Sequence, residues 1–278
     1  MLAGSGRKRI KAGHAGTLDP LATGMLPILI GDATRFADMG LNAEKIYRVS
    51  FDLSCQTDTL DLEGEMCGRF DVTVSRDDIE ALLAEFRGEI EQIPPAYSAI
   101  LIDGRRAHEL VRSGREVMMQ SRPVTIHQIE LEAYQAPLVT LKVRCSKGTY
   151  IRSLARDIGE RLGVGGCVTE LRRLSSGGWP EAMMVTPEQL AEGGASCLLP
   201  LAQWLRDLES LSLSVADGRR FLHGQRIQIR DRTADAAAVD VAVFADGLLL
   251  GGGVLKPGMR HMVLHPAKIM PSAQQALL

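Results

Sequence analysis

Gly13-His14-Ala15-Gly16-Thr17-Leu18-Asp19-Pro20-Leu21-Ala22-Thr23-Gly24-Met25-Leu26-Pro27-Ile28 is the stretch on which the reading of this chain turns. Pro20 restricts the backbone before it to extended geometry, while Gly13, Gly16 and Gly24 allow tight turns and the close approach of a bulky ligand. A single carboxylate, Asp19, is thereby set in a loop of limited freedom, followed by an apolar run. A carboxylate so placed is able to carry chemistry. An Asp-Pro pair among glycines is also the ordinary makeup of a turn or helix cap, so the loop taken alone leaves both readings open.

The 278 residues, 45% hydrophobic and 24% charged, suffice for one large core and a small second domain. Arg7, Lys8, Arg9 and Lys11 crowd the start, but no apolar run of signal-peptide or membrane-spanning length accompanies them or occurs later. The expectation is a soluble, cytoplasmic protein with no membrane partner. Five cysteines without a C-x-x-C pair disfavour both a zinc cluster and a disulfide framework, and no metal site is expected. A net charge of −2 argues against bulk attraction to nucleic acid, so any such partner must be met by local charge. Two groups offer it: Arg105, Arg106, Arg112, Arg115 and Arg122, and then Lys147, Arg152, Arg156, Arg161, Arg172 and Arg173. Each reads equally well as a solvated helix or strand face.

Along the chain, residues 46–53 alternate in strand fashion and a polar stretch at 56–68 follows. Ser75 opens a helix whose Ile79, Leu82, Leu83 and Phe86 share one face. After Pro94-Pro95 comes an Arg- and Gly-rich insertion at 94–124, with a short helical pattern near 106–112. Strands are expected at 124–134 and 138–146, then a helix with Ile151, Leu154, Ala155, Ile158 and Leu162 on its apolar face and Gly163 at its end. From Leu211 onward short apolar runs alternate with glycine-rich turns, and Asp246-Gly247 between two such runs signals a hairpin.

Four motifs stand in a fixed order: the opening string, Lys45-Ile46-Tyr47-Arg48-Val49, the run from Cys145 through Lys147-Gly148-Thr149-Tyr150-Ile151-Arg152 to Gly159, and Leu171-Arg172-Arg173-Leu174. Together they resemble the motifs of the bacterial tRNA pseudouridine-55 synthase (TruB) family over about residues 8–208, with a looser likeness in the tail. The resemblance implies an α+β pseudouridine-synthase fold over 1–208, with 94–124 as a thumb-like RNA-binding insertion. Residues 209–278 would form a small PUA-like RNA-binding β-barrel.

The implied activity is isomerisation of uridine 55 in the T-loop of tRNA, by a chain expected to be a monomer. The glycosidic bond breaks, the uracil turns and C5 joins C1′ without redox change, so no cofactor is expected. Asp19 matches the family's catalytic aspartate, acting as nucleophile or as base, and Arg152 matches its arginine partner. Tyr47 matches a tyrosine whose ring stacks on the base and whose hydroxyl is a candidate for proton transfer from C5, Tyr150 and Leu171 match residues bounding the uracil, and His14 matches a histidine against the flipped nucleotide or its neighbouring bases. Arg105, Arg106, Lys147, Arg172 and Arg173 are the RNA-binding candidates. Family members carry an upstream segment with a strand and a Leu-Asp-Lys-Pro type motif. Without it the cleft is expected to lack a wall and activity to be reduced. Two other readings stay open, an RNA-binding or tRNA-folding protein without turnover and a hydrolase using Asp19 with His14.

Overall fold

Val139, Leu141, Val143 and Cys145 take every second position of the strand Leu138–Cys145, so one face of it is apolar along its whole length. That strand sits within a seven-stranded sheet of the computed structural model, which describes residues 10–234 and 236–277. The strands are β1 (Ala22–Gly24), β2 (Lys45–Asp52), β3 (Gly88–Gln92), β4 (Arg122–Gln135), β5 (Leu138–Cys145), β6 (Cys167–Ser176) and β7 (Trp179–Pro180). Their order is β7-β6-β2-β5-β4-β3, antiparallel throughout, and β1 joins β6 in parallel. β2 is therefore central, between β5 and β6, and its Val49 and Phe51 are buried.

Two helices cover this apolar face. Helix α1 (Arg76–Leu83) begins at Ser75, whose hydroxyl accepts from the Asp78 amide while the Asp78 carboxylate accepts from the Ser75 amide. The Ser75 hydroxyl also donates to that carboxylate at 2.6 Å, and this bond, with that of the Ser75 amide, holds the Asp78 carboxyl below its ordinary range. Helix α2 (Ile151–Leu162) buries Ile151, Leu154, Ala155 and Ile158, and stops at Gly163, whose φ of 73° lies in the left-handed region. Phe51, Ile126, Leu141, Leu154 and Ile158 form the centre of the core. Each such side chain contributes about 1.5–3 kcal/mol by leaving water.

The insertion expected at 94–124 holds a hairpin, Leu101–Ile102 against Arg105–Arg106, followed by the helix Ala107–Arg112. Asp103 (φ 50°) and Gly104 (φ 80°) supply the two positive dihedrals of its turn.

The described residues divide into two compact units. One contains Ala15–Pro27 and Asp38–Met184, and the other contains residues 10–14, 28–37 and 185–277. In the second unit β8 (Glu209–Leu213), β9 (Ile227–Thr233), β10 (Val239–Ala245), β11 (Leu248–Pro257) and β12 (His261–Ile269) form a sheet in the order β8-β10-β11-β12-β9. Its core includes Leu211, Phe221, Val243, Leu250, Leu255 and Leu264. Asp246 (φ 48°) and Gly247 (φ 72°) make the hairpin turn between β10 and β11 that the sequence signals. The class is α+β, with a PUA-like sheet toward the C-terminus. No helix among the described residues is long and apolar enough to cross a membrane.

Candidate active site

Strand β6 brings the distant motifs together. Its Arg173 is the pairing partner of Gly24 on β1 and of Tyr47 on β2, while Leu171 pairs with Ala22 and Val49. Gly24 has a φ of +93°, and a Cβ there would fall 2.3 Å from the Arg173 carbonyl oxygen, so this close parallel pairing requires glycine. The Met25 amide donates to the same carbonyl at 2.8 Å, and the Ala22 amide closes the turn onto the Asp19 carbonyl at 2.9 Å. The Asp19 carboxylate projects from this turn with 32% of its side chain exposed.

Arg152, in the first turn of α2, meets that carboxylate with both arms of its fork. Nε donates to Oδ2 at 2.9 Å and Nη2 to Oδ1 at 3.0 Å. The remaining donors are also engaged: Nη2 with the Tyr97 carbonyl at 3.1 Å, and Nη1 with the Thr59 carbonyl at 2.8 Å and with Asp61 Oδ2 at 3.5 Å. A guanidinium has five N–H groups; four hydrogen bonds and the ion pair with Asp61 together fix its plane here. Its side chain is 6% exposed and that of Asp61 4%. Asp61 is itself held by the Thr59 hydroxyl at 2.6 Å and the Glu63 amide at 3.1 Å. A buried cation thus sits between two carboxylates, one enclosed and one facing outward.

Asp61, Thr59 and Tyr97 are additions to the residues read from sequence. They lie in the polar stretch and at the start of the insertion, and the one signal was acidic density in what reads as a connector. Gln92 is another addition. Buried at the end of β3, its side-chain amide accepts from the Tyr150 amide at 2.8 Å and donates to the Tyr150 carbonyl at 3.1 Å, fixing the residue that precedes α2.

The other sequence candidates fall into distinct places. Tyr47 is half-buried on the core-facing side of β2. Burial pushes its phenol up, and the Arg173 guanidinium beside it draws it partly back. Burial likewise raises the half-buried Tyr150. Leu171 is buried in the main core. His14 is exposed at the end of the strand Ala12–His14, opposite Ile28, in the other unit. Arg105 and Arg106 are exposed on the hairpin. Lys147 is exposed and donates to Asn42 Oδ1 at 2.9 Å, and exposed Arg172 pairs with Glu181 and Thr23.

Arg173 corrects the sequence reading. Read as an RNA-binding candidate, it is 1% exposed and its guanidinium donates to the carbonyls of Met25, Gly16 and Thr17. No donor is left on the surface for a phosphate.

Residues 5–151 match the family described as TruB family pseudouridylate synthase (N terminal domain), and residues 152–211 match the tRNA pseudouridylate synthase B C-terminal domain. The first match holds Asp19, Tyr47 and Asp61, and the second Arg152 and Arg173. The chain is 45% identical over 246 residues to the tRNA pseudouridine synthase B of Chromohalobacter salexigens, covering 87% of this chain and 80% of that one. It is 46% identical over 229 residues to the enzyme of the same name from Pseudomonas putida, covering 80% and 75%. A solved Cbf5–Nop10–Gar1 complex contains a chain of similar fold, with a TM-score of 0.70 at 24% identity over 94% of this chain and 76% of that one.

Proposed function

The chain belongs to the TruB family of pseudouridylate synthases, and from that premise we propose that it isomerises uridine 55 in the T-loop of tRNA, with Asp19 as the reacting carboxylate. The observation that carries this reading is the two-point grip of Arg152 on Asp19. Breaking the C1′–N1 bond calls for an ionised carboxylate at the sugar, as nucleophile at C1′ or as base at the sugar. A guanidinium held by four hydrogen bonds and a second carboxylate keeps that ion oriented before substrate arrives, so little reorganisation accompanies the reaction.

The rest of the sequence follows from bond changes. Once C1′–N1 is broken, the uracil turns, C5 bonds to C1′, and the proton on C5 leaves to restore the ring. Tyr47, across strand β6 from the Asp19 loop, stacks on the base, and its phenol is the group we assign to that proton. Tyr150 and Leu171 bound the uracil, and His14 meets the flipped nucleotide. A uridine stacked in an RNA loop does not reach Asp19, so it is flipped out, at a cost of a few kcal/mol that is least in a loop.

Residues 94–124 serve as the thumb, with Arg105 and Arg106 on phosphates, and Lys147 and Arg172 add local charge. We assign 1–208 to the catalytic domain and 209–278 to the PUA-like domain, in a cytoplasmic enzyme acting as one chain. The test is incubation with an unmodified tRNA transcript carrying tritium at uracil C5. Tritium release with pseudouridine at position 55 is the expected result, and absence of product there overturns the reading.

A further inference from the structure

Among the described residues, the largest fully buried side chain is that of Arg173. Burying a cation is costly unless its donors are satisfied, and among the described residues no carboxylate pairs with this one. Its acceptors are instead backbone carbonyls on the two feet of one loop. Nε reaches Met25 O at 2.6 Å, and Nη1 and Nη2 reach Thr17 O and Gly16 O at 3.2 Å each. Asp19 lies between those feet. On the other side of Arg173, its partner across the β6–β2 ladder is Tyr47.

One side chain therefore stands between the two groups to which the reaction is assigned. We propose that Arg173 is a positioning residue for the isomerisation, fixing the Asp19 loop and the Tyr47 phenol relative to each other. This rests on the reading of Asp19 and Tyr47 given above. Its charge is felt at two side chains of β2, pulling down the Tyr47 phenol and also contributing to a Lys45 ammonium lowered to about 8, chiefly by burial. The carbonyl feet give the geometry, and the uncompensated charge keeps the phenol nearer to ionisation than burial alone would leave it.

The test compares Arg173→Lys and Arg173→Gln with the parent. Single-turnover conversion of a T-arm stem-loop is expected to fall about 100-fold in Arg173→Lys, because three flexible donors do not hold a loop as a planar fork does, while RNA affinity stays within about threefold. A rate within about threefold of the parent, in a variant that unfolds at a normal temperature, overturns the proposal.

A second measurement needs no substrate and has a sign that mere structural damage reverses. In Arg173→Gln the Tyr47 phenolate absorbance, isolated by subtracting the same protein carrying Tyr47→Phe, is expected to titrate at higher pH than in the parent, because a cation favouring phenolate is gone. A shift down toward the ordinary tyrosine value means that the pocket has opened to water, and it overturns the proposal.

Where neither variant folds, solvent exchange of the Arg173 Nε–H in the parent decides. Slow exchange is expected of the clasp, and exchange at the rate of a surface arginine overturns it. Parent and Asp19→Asn run beside these: a parent that makes no pseudouridine refutes the functional reading, whereas the titration and exchange still judge Arg173.

Discussion

The loop clasp around Arg152 and Arg173 and the hairpin bearing Arg105 and Arg106 use the same side chain in opposite surroundings. In the clasp, both guanidinium groups are enclosed and their donors end on carboxylates and carbonyls from Gly16, Thr17, Asp19, Met25, Thr59, Asp61 and Tyr97. In the hairpin, Arg105 and Arg106 are exposed on a two-residue strand, and among the described residues neither is in an ion pair. Arginine chemistry is constant, so the difference lies in which acceptors the chain brings. A buried fork exchanges water for fixed dipoles and becomes a positioning device, whereas a solvated one keeps its donors for a partner.

Asp19→Asn tests the buried side of this contrast most severely. It keeps the shape and removes the charge, and pseudouridine formation is expected to fall below detection while binding of T-arm RNA changes no more than about threefold. Appreciable product from this variant removes Asp19 from the reaction. Arg152→Lys keeps the charge and loses the fork. Turnover is expected to fall about 100-fold with a much smaller change in affinity, and equal losses in both would make Arg152 an RNA contact. Asp61→Asn leaves Arg152 paired with Asp19 but removes the enclosed carboxylate behind it. A loss of about tenfold in the single-turnover rate, equivalent to about 1.4 kcal/mol, is expected. An unchanged rate would show that Asp19 and the two carbonyls suffice to orient the fork.

The elements around this contrast were legible to different degrees for physical reasons. Strand β5 and helices α1 and α2 follow from local periodicity and caps, which is why Ser75 and Gly163 mark boundaries close to those of the structure. The hairpin at Asp246-Gly247 is equally plain, yet the same dipeptide at Asp103-Gly104 reads only as part of an insertion, because each flanking strand is two residues long and one of them is basic. Asp19, Tyr47 and Arg152 were named through the family's motif order, and the structure brings Arg152 onto Asp19. Asp61 escaped because its burial depends on Arg152, far along the chain, and no local pattern encodes that partner. The burial of Arg173 is hidden in the sequence for the same reason. Its neighbour Arg172 is exposed, and a two-residue repeat of the same charge does not show which of them a strand turns inward.

The hairpin is where the contrast is tested by the smallest effect on the chemical step. Arg105→Ala with Arg106→Ala removes two exposed cations without touching the core, so the unfolding temperature and the single-turnover rate at saturating RNA are expected to stay close to the parent. Affinity is the quantity that moves. Each phosphate released lowers the slope of log affinity against log salt by about 0.7–0.9, so the double variant is expected to lose about 1.5 from that slope for both a T-arm stem-loop and full-length tRNA. The weakening is then largest at low salt and fades as salt rises, which an unfolded hairpin would not produce. Measuring both RNAs at several salt concentrations decides it. An unchanged slope would take the hairpin out of the RNA interface, and a slower saturated rate would mean that the insertion reaches the chemistry through Tyr97, whose carbonyl already rests on Arg152.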